Sequence, residues 1–309
     1  MSAAGRRAVA GRWLALALVL APASAFAQAA NPDGGLSPTL AAIKSAKSVR
    51  VGYREASIPF SFLDQANRPI GYSLEICSAI VEEIGVEVDE PELRIDYVKV
   101  TSESRIPAVM QNRIDLECGS TTANEERRKQ VAFSPLTYVA GTKLMVDKTS
   151  GISSPESLKG KTVVVTRGTT NEQVLRALDT KLSLGLTFVV GTDHEQSYQV
   201  LVDKKADAFA TDDILLSGLI AHHRSQDRFR VVGDYLSYDP YGIMYRRGEP
   251  QVKAVVERAF RKLATNQDLV PLYRKWFNTR LPTGERLNVP ISGQLEDSFR
   301  VLDESRSHN

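Results

Sequence analysis

From Ser48 onward, short runs of apolar, largely β-branched residues alternate with stretches whose apolar residues recur at helical spacing. That alternation constrains the fold more than any other feature. A helix after each buried strand builds βαβ units, with helices on both faces of a mostly parallel sheet. The pattern predicts strands over 49–53, 95–100, 162–166, 187–190, 208–211 and 229–232, with lengths and side chains suited to burial on both faces. Helices are expected over 74–84, 104–110, 171–178, 196–202, 213–222, 252–263 and 269–276. Residues 28–47 read as a lead-in with one short helix. The tail 281–309 reads as a surface wrap with a helix near 295–302.

No Gly/Ser-rich or Pro-rich spacer divides the chain in the middle. Two extended segments, 137–145 and 237–245, are instead expected to cross between lobes. Lobe 1 is then discontinuous, 48–142 with 237–280, and lobe 2 is an insertion, 143–236. Paired extended crossings form a hinge that bends without letting the lobes drift apart.

The first 27 residues have the form of an export signal. Arg6, Arg7 and Arg12 precede an apolar run from Trp13 to Ala21, and Ala25-Phe26-Ala27 supplies small residues at −3 and −1. Cleavage after Ala27 and a periplasmic location are expected. The run is about half of the roughly 20 residues that a spanning helix needs. No Cys follows it to carry a lipid, and the residues after Arg6-Arg7 are too weakly apolar to favour twin-arginine export. The segment takes three of the 39 basic residues and none of the 37 acidic ones, leaving 36 against 37, a net of −1. Nucleic acid is excluded as a partner on that balance. About 280 residues with ordinary hydrophobic content make two compact domains. Cys77 and Cys118 meet an oxidising compartment, and the sequence leaves open whether they pair. His222-His223 and two distant cysteines lack metal-ligand spacing, so neither metal nor cofactor is expected.

Three loops lead from a strand into a helix start, where unpaired N–H groups and positive partial charge receive carboxylates. They are Thr101 to Arg105, Cys118 to Arg127, and Thr166 to Glu172. Thr122 with Glu125, and Thr169 with Glu172, fit the hydroxyl-x-x-Glu capping box. Arg105 and Arg127 each stand one turn into a helix, against the dipole, which an anion between them would offset.

Several stretches resemble the glutamate/aspartate-binding proteins of amino-acid ABC importers, within the polar amino-acid binding family. They are Gly52 to Ser61, Thr101 to Pro107, Glu117 to Arg127, Gly160 to Thr170, Asp193-His194 and Thr211-Asp212-Asp213, in order across nearly all of the mature chain. The resemblance implies a two-lobed type II periplasmic binding protein, monomeric, that delivers its ligand to an ABC permease in the membrane. It implies that Arg127 clamps the ligand α-carboxylate with the Thr122 hydroxyl and the Thr170 amide. Ser120 would accept from the α-ammonium through its carbonyl, and Asp212 would pair with it, Asp213 being the alternative. Arg54, Ser102, Arg105 and His194 would hold the side-chain carboxylate. Arg167 and Glu103 depart from the family pattern and leave the choice between Glu and Asp open.

Charge supports the same ligand class. Arg127 and Asp212 balance a zwitterion, so Arg54, Arg105 and a charged His194 leave positive charge that a second carboxylate would satisfy. The rival reading is a periplasmic dehydratase of the prephenate/arogenate class on the same fold, with His194 or Glu55 as general acid. Converging cations suit that substrate poorly, because its ring needs apolar walls. A serine hydrolase lacks its G-x-S-x-G elbow. A sensory role would use the same closed surface as transport.

Overall fold

The computed structural model describes residues 35–304. The expected export signal, the expected lead-in before Gly35 and the last five residues lie outside the described residues. Two five-stranded sheets organise the chain. In the first, Ser48–Tyr53 runs parallel to Arg94–Lys99 on one side and Leu116–Glu117 on the other, and Met244–Tyr245 joins antiparallel between Leu116–Glu117 and Ala132–Phe133. In the second, Thr162–Thr166 is flanked in parallel by Thr187–Gly191 and Ala208–Asp212. Thr142–Asp147 then pairs antiparallel with both Ala208–Asp212 and Phe229–Val232.

Burial explains why these segments are strands. Thr162–Thr166 lies inside its sheet, with Val164 packed on one face and Val163 and Val165 on the other. A central strand needs apolar residues on both faces, and three successive valines supply them. Arg94–Lys99 is an edge strand, so Arg94, Asp96 and Lys99 stay in water. The long helix Tyr72–Val88 buries Tyr72, Ile76, Ile80 and Ile84, four apart, on one stripe.

The two crossing segments pair with each other. Tyr138–Ala140 lies antiparallel to Asp239–Tyr241, and the strands that follow, Thr142–Asp147 and Met244–Tyr245, enter the second and first sheets respectively. Tyr138 and Tyr241 anchor this ribbon in the core of the first body, where the Phe60 ring sits edge-on to both at 5.0 and 5.1 Å. Cys77 of the long helix forms a disulfide with Cys118, just beyond Leu116–Glu117. The tail does more than wrap the surface. Leu281, Leu295 and Phe299 join the first core, and the helix Gly293–Glu304 packs on Pro250–Thr265, because its apolar residues recur on one stripe. Among the described residues no helix is long and apolar enough to cross a membrane.

Strands of two or three residues were not expected. Ala56–Ser57, Ser61–Leu63 and Pro69–Ile70 form a small antiparallel sheet beside the first lobe's core. Elements this short carry no readable periodicity.

Candidate functional site

All nine sequence candidates gather where strands end. Arg54 follows Ser48–Tyr53, Ser102 and Arg105 follow Arg94–Lys99, and Ser120, Thr122 and Arg127 follow Leu116–Glu117. From the second sheet, Thr170, His194 and Asp212 stand at the ends of Thr162–Thr166, Thr187–Gly191 and Ala208–Asp212. Ligands of open α/β sheets bind in the crevice outside the carboxyl ends of the strands. Eight of the nine are buried and Thr170 is half-buried.

Arg54 is 2% exposed and donates from Nη2 to Ser102 Oγ at 2.8 Å. Arg105 Nη1 reaches the Ser120 carbonyl at 3.4 Å. Arg54 Nη1, Arg105 Nε and Ser120 Oγ are buried with no hydrogen-bond partner among the described residues. Among the described residues none of Arg54, Arg105 and Arg127 has an ion pair within 4.0 Å. Burial and the charge of Arg105 pull the Arg54 and Arg127 guanidinium groups down to about 9, which leaves them charged at neutral pH. Buried guanidinium N–H groups left without acceptors are costly unless a ligand supplies the acceptors.

Arg127 ties the two bodies together. Nη1 donates to the Thr122 carbonyl at 3.0 Å, and Nη2 to the Gly168 carbonyl at 3.3 Å across the crevice. The Thr122 and Thr170 hydroxyls, one from each side, stand 3.4 Å apart and both donate to Asp239 Oδ1, at 3.0 and 2.9 Å. Asp239 belongs to the crossing ribbon.

Asp212 accepts from Asn171 Nδ2 at 2.8 Å and from the Tyr241 hydroxyl. Burial, with the charge of Asp239, pushes its pKa up to about 7. Asp213 is turned away, accepting from the Tyr235 hydroxyl at 2.9 Å and the Gly141 N–H at 3.4 Å. Of the two acids, Asp212 faces the crevice.

Three expectations need correction. Thr122 and Glu125 form no capping box; Asn124 caps Glu125–Arg128 by accepting from the Arg127 N–H, while Thr122 serves Asp239. Thr169 does cap its helix, but Glu172 reaches back to the Gly168 N–H rather than to Thr169. His194 is not a third cation here. Burial, Arg54 and Arg105 hold its pKa well below the usual imidazole value, and its Nδ1 lies 3.1 Å from Thr166 Oγ1.

Sequence reading missed Glu117, Asn171, Asp239 and Tyr241. Glu117 is fully buried, with Oε2 accepting from Thr121 at 2.5 Å and Oε1 unpartnered. Asp239 and Tyr241 lie inside the expected crossing 237–245, so their position was legible although their part was not. Arg167 and Glu103 approach one another across the crevice mouth at 3.9 Å, both more than half exposed.

Comparison with known proteins then decides the family. Residues 49–279 match the model of the bacterial extracellular solute-binding proteins, family 3. The chain belongs to that family. Among relatives, an L-glutamate/L-aspartate-binding protein of Pseudomonas aeruginosa is 40% identical over 263 residues, 84% of this chain and 87% of that one. A glutamate/aspartate import solute-binding protein of Escherichia coli is 36% identical over 287 residues, 93% of each. Of solved structures, an ancestral arginine-binding protein bound to arginine aligns with a TM-score of 0.67 at 28% identity, over 75% of this chain and 99% of that one. An ancestral amino acid-binding protein described as a precursor of cyclohexadienyl dehydratase aligns with a TM-score of 0.66 at 26% identity, over 78% of this chain and all of that one.

Proposed function

We propose that this chain captures L-glutamate or L-aspartate in the periplasm, by closure of two lobes, and delivers it unchanged to an ABC permease. The observation that carries this reading is the set of buried arginine N–H groups, Arg54 Nη1 and Arg105 Nε, that find no hydrogen-bond partner among the described residues. Arg127, Thr122 and Thr170 take the α-carboxylate, while Asp212 and the Ser120 carbonyl take the ammonium. Arg54, Ser102, Arg105 and His194 take the side-chain carboxylate. The names of the two solute-binding relatives support the ligand class. The lobes are 48–142 with 237–280 and 143–236, followed by the tail 281–309. The protein works as a monomer, released by cleavage after Ala27.

The dehydratase reading gains one observation, the likeness to the dehydratase precursor. Asp212, at about 7, is the acid whose pKa suits proton transfer, but Asn171 and Tyr241 occupy both its oxygens. Transfer needs a pair with opposed protonation states poised over a leaving group. With both Asp212 oxygens taken, His194 faces no second group free to form such a pair.

The test is competitive. Purified protein is equilibrated with a mixture of all the common amino acids plus prephenate and arogenate, and bound and free small molecules are weighed by mass spectrometry. Glutamate and aspartate are expected in the bound fraction, with every compound recovered unchanged. Retention of neutral amino acids instead, or a dehydrated product, contradicts the reading.

A further inference from the structure

We propose that the site takes up one proton together with an acidic amino acid, at Nε2 of His194, and that Glu117 is the residue that makes this proton necessary. The inference rests on the ligand class proposed above.

Hydroxyl groups around His194 fix where its proton sits. The Ser197 hydroxyl donates to the Asp193 carbonyl at 2.8 Å, so toward Thr166 it presents a lone pair. The Thr166 hydroxyl, 2.8 Å away, therefore spends its single proton on Ser197 and accepts from His194 Nδ1 at 3.1 Å. A neutral imidazole carries one N–H, and Nδ1 holds it. Nε2, which has no partner among the described residues, is left with a lone pair. A ligand carboxylate beside that lone pair is repelled until Nε2 gains a proton.

The surrounding charges explain why the proton is absent beforehand and held afterwards. From the first lobe, Arg54 and Arg105 act on the ring and disfavour its charged form. On its own helix and cap, Asp193 accepts from the Gln196 N–H, and Glu195 is turned to His223 at 2.9 Å. Glu55, on the facing loop, is taken by Lys99. A carboxylate held by Arg54 and Arg105 cancels the repulsion that they exert.

Counting charges gives the same result. Arg54, Arg105 and Arg127 stand against the buried acids Glu117, Asp212 and Asp239, with Asp212 ionised once it meets an ammonium. The crevice is then neutral, and a glutamate anion leaves it one negative charge in excess. An uncompensated buried charge is strongly unfavourable, and a proton on His194 removes it. Glutamine creates no such excess. Without the acid at 117, neither does glutamate. Glu117 is placed to act on all three guanidinium groups and is the first among the charges acting on Arg105.

The experiment is calorimetric titration of the mature protein with glutamate at pH 7.5, in two buffers of different ionisation enthalpy, which yields the protons exchanged per ligand. Wild type, Glu117→Gln and His194→Gln are compared, and thermal melting confirms that each is folded. Proton release from Asp212 is common to all three and cancels. Wild type is expected to take up close to one proton more than either variant. An equal count in wild type and His194→Gln overturns the protonation site, and an equal count in Glu117→Gln overturns the part given to Glu117. Failure of wild type to bind glutamate at all would instead refute the proposed function.

Discussion

A β-carbon on Gly168 would lie 2.8 Å from the Glu103 α-carbon, because the two loops meet backbone to backbone across the crevice. Gly168 also has a φ of +75°, which L side chains rarely adopt. Gly168→Ala is therefore expected to obstruct closure and weaken glutamate binding at least tenfold, with each lobe still folded. Calorimetry and circular dichroism check both parts. The neighbouring Arg167–Glu103 pair, exposed and 3.9 Å apart, is expected to contribute under about 1 kcal/mol in a double-mutant cycle.

The arginines have separable tasks. Arg127→Ala is expected to impair glutamate, aspartate, glutamine and asparagine alike, since all present an α-carboxylate. Arg105→Ala is expected to lower affinity for the acidic pair by a hundredfold or more and for the amides far less, because in the proposed arrangement its buried, unpartnered Nε takes the side-chain carboxylate. Equilibrium binding of the four amino acids to each variant separates the two patterns.

Asp212 links stability to pH. Its folded pKa, near 7, lies above the ordinary 3.8, so the ligand-free fold holds a proton that the unfolded chain has already lost. Between about pH 4 and 7 the native state binds more protons, and its stability falls as pH rises, by up to a few kcal/mol. Asp212→Asn is expected to raise the melting temperature of the ligand-free protein at pH 8, to change it little at pH 4, and to abolish amino-acid binding. Melting curves at the two pH values and a glutamate titration check this.

The disulfide Cys77–Cys118 spans 41 positions. In the chain-entropy account, closing such a loop stabilises the fold by about 4 kcal/mol. Replacing both cysteines by Ser is expected to lower the denaturant midpoint by a corresponding amount. Glutamate affinity is expected to drop as well, because Cys118 leads directly into Gly119 and Ser120.

The fold was legible wherever a residue pattern repeats. Three valines in Thr162–Thr166 announce a central strand, and isoleucines four apart announce the helix Tyr72–Val88. Segments 137–145 and 237–245 were legible as extended from their composition. Single polar residues in non-periodic segments were not. Asp239 gathers Thr122 and Thr170, and Tyr241 and Asn171 hold Asp212, yet no spacing rule joins residues so far apart in the chain. The charge of His194 in the ligand-free protein was not legible either, because it depends on burial and on Arg54 and Arg105, which lie far away in the chain.

Calorimetric titration of the purified mature protein with L-glutamate and with L-glutamine tests the central claim most directly. The two ligands differ by one carboxylate exchanged for an amide, which in the proposed arrangement would turn an NH2 donor toward the unpartnered N–H groups of Arg54 and Arg105. Glutamate is expected to bind hundreds-fold more tightly, a difference of roughly 3–5 kcal/mol. Equal affinities would contradict the account.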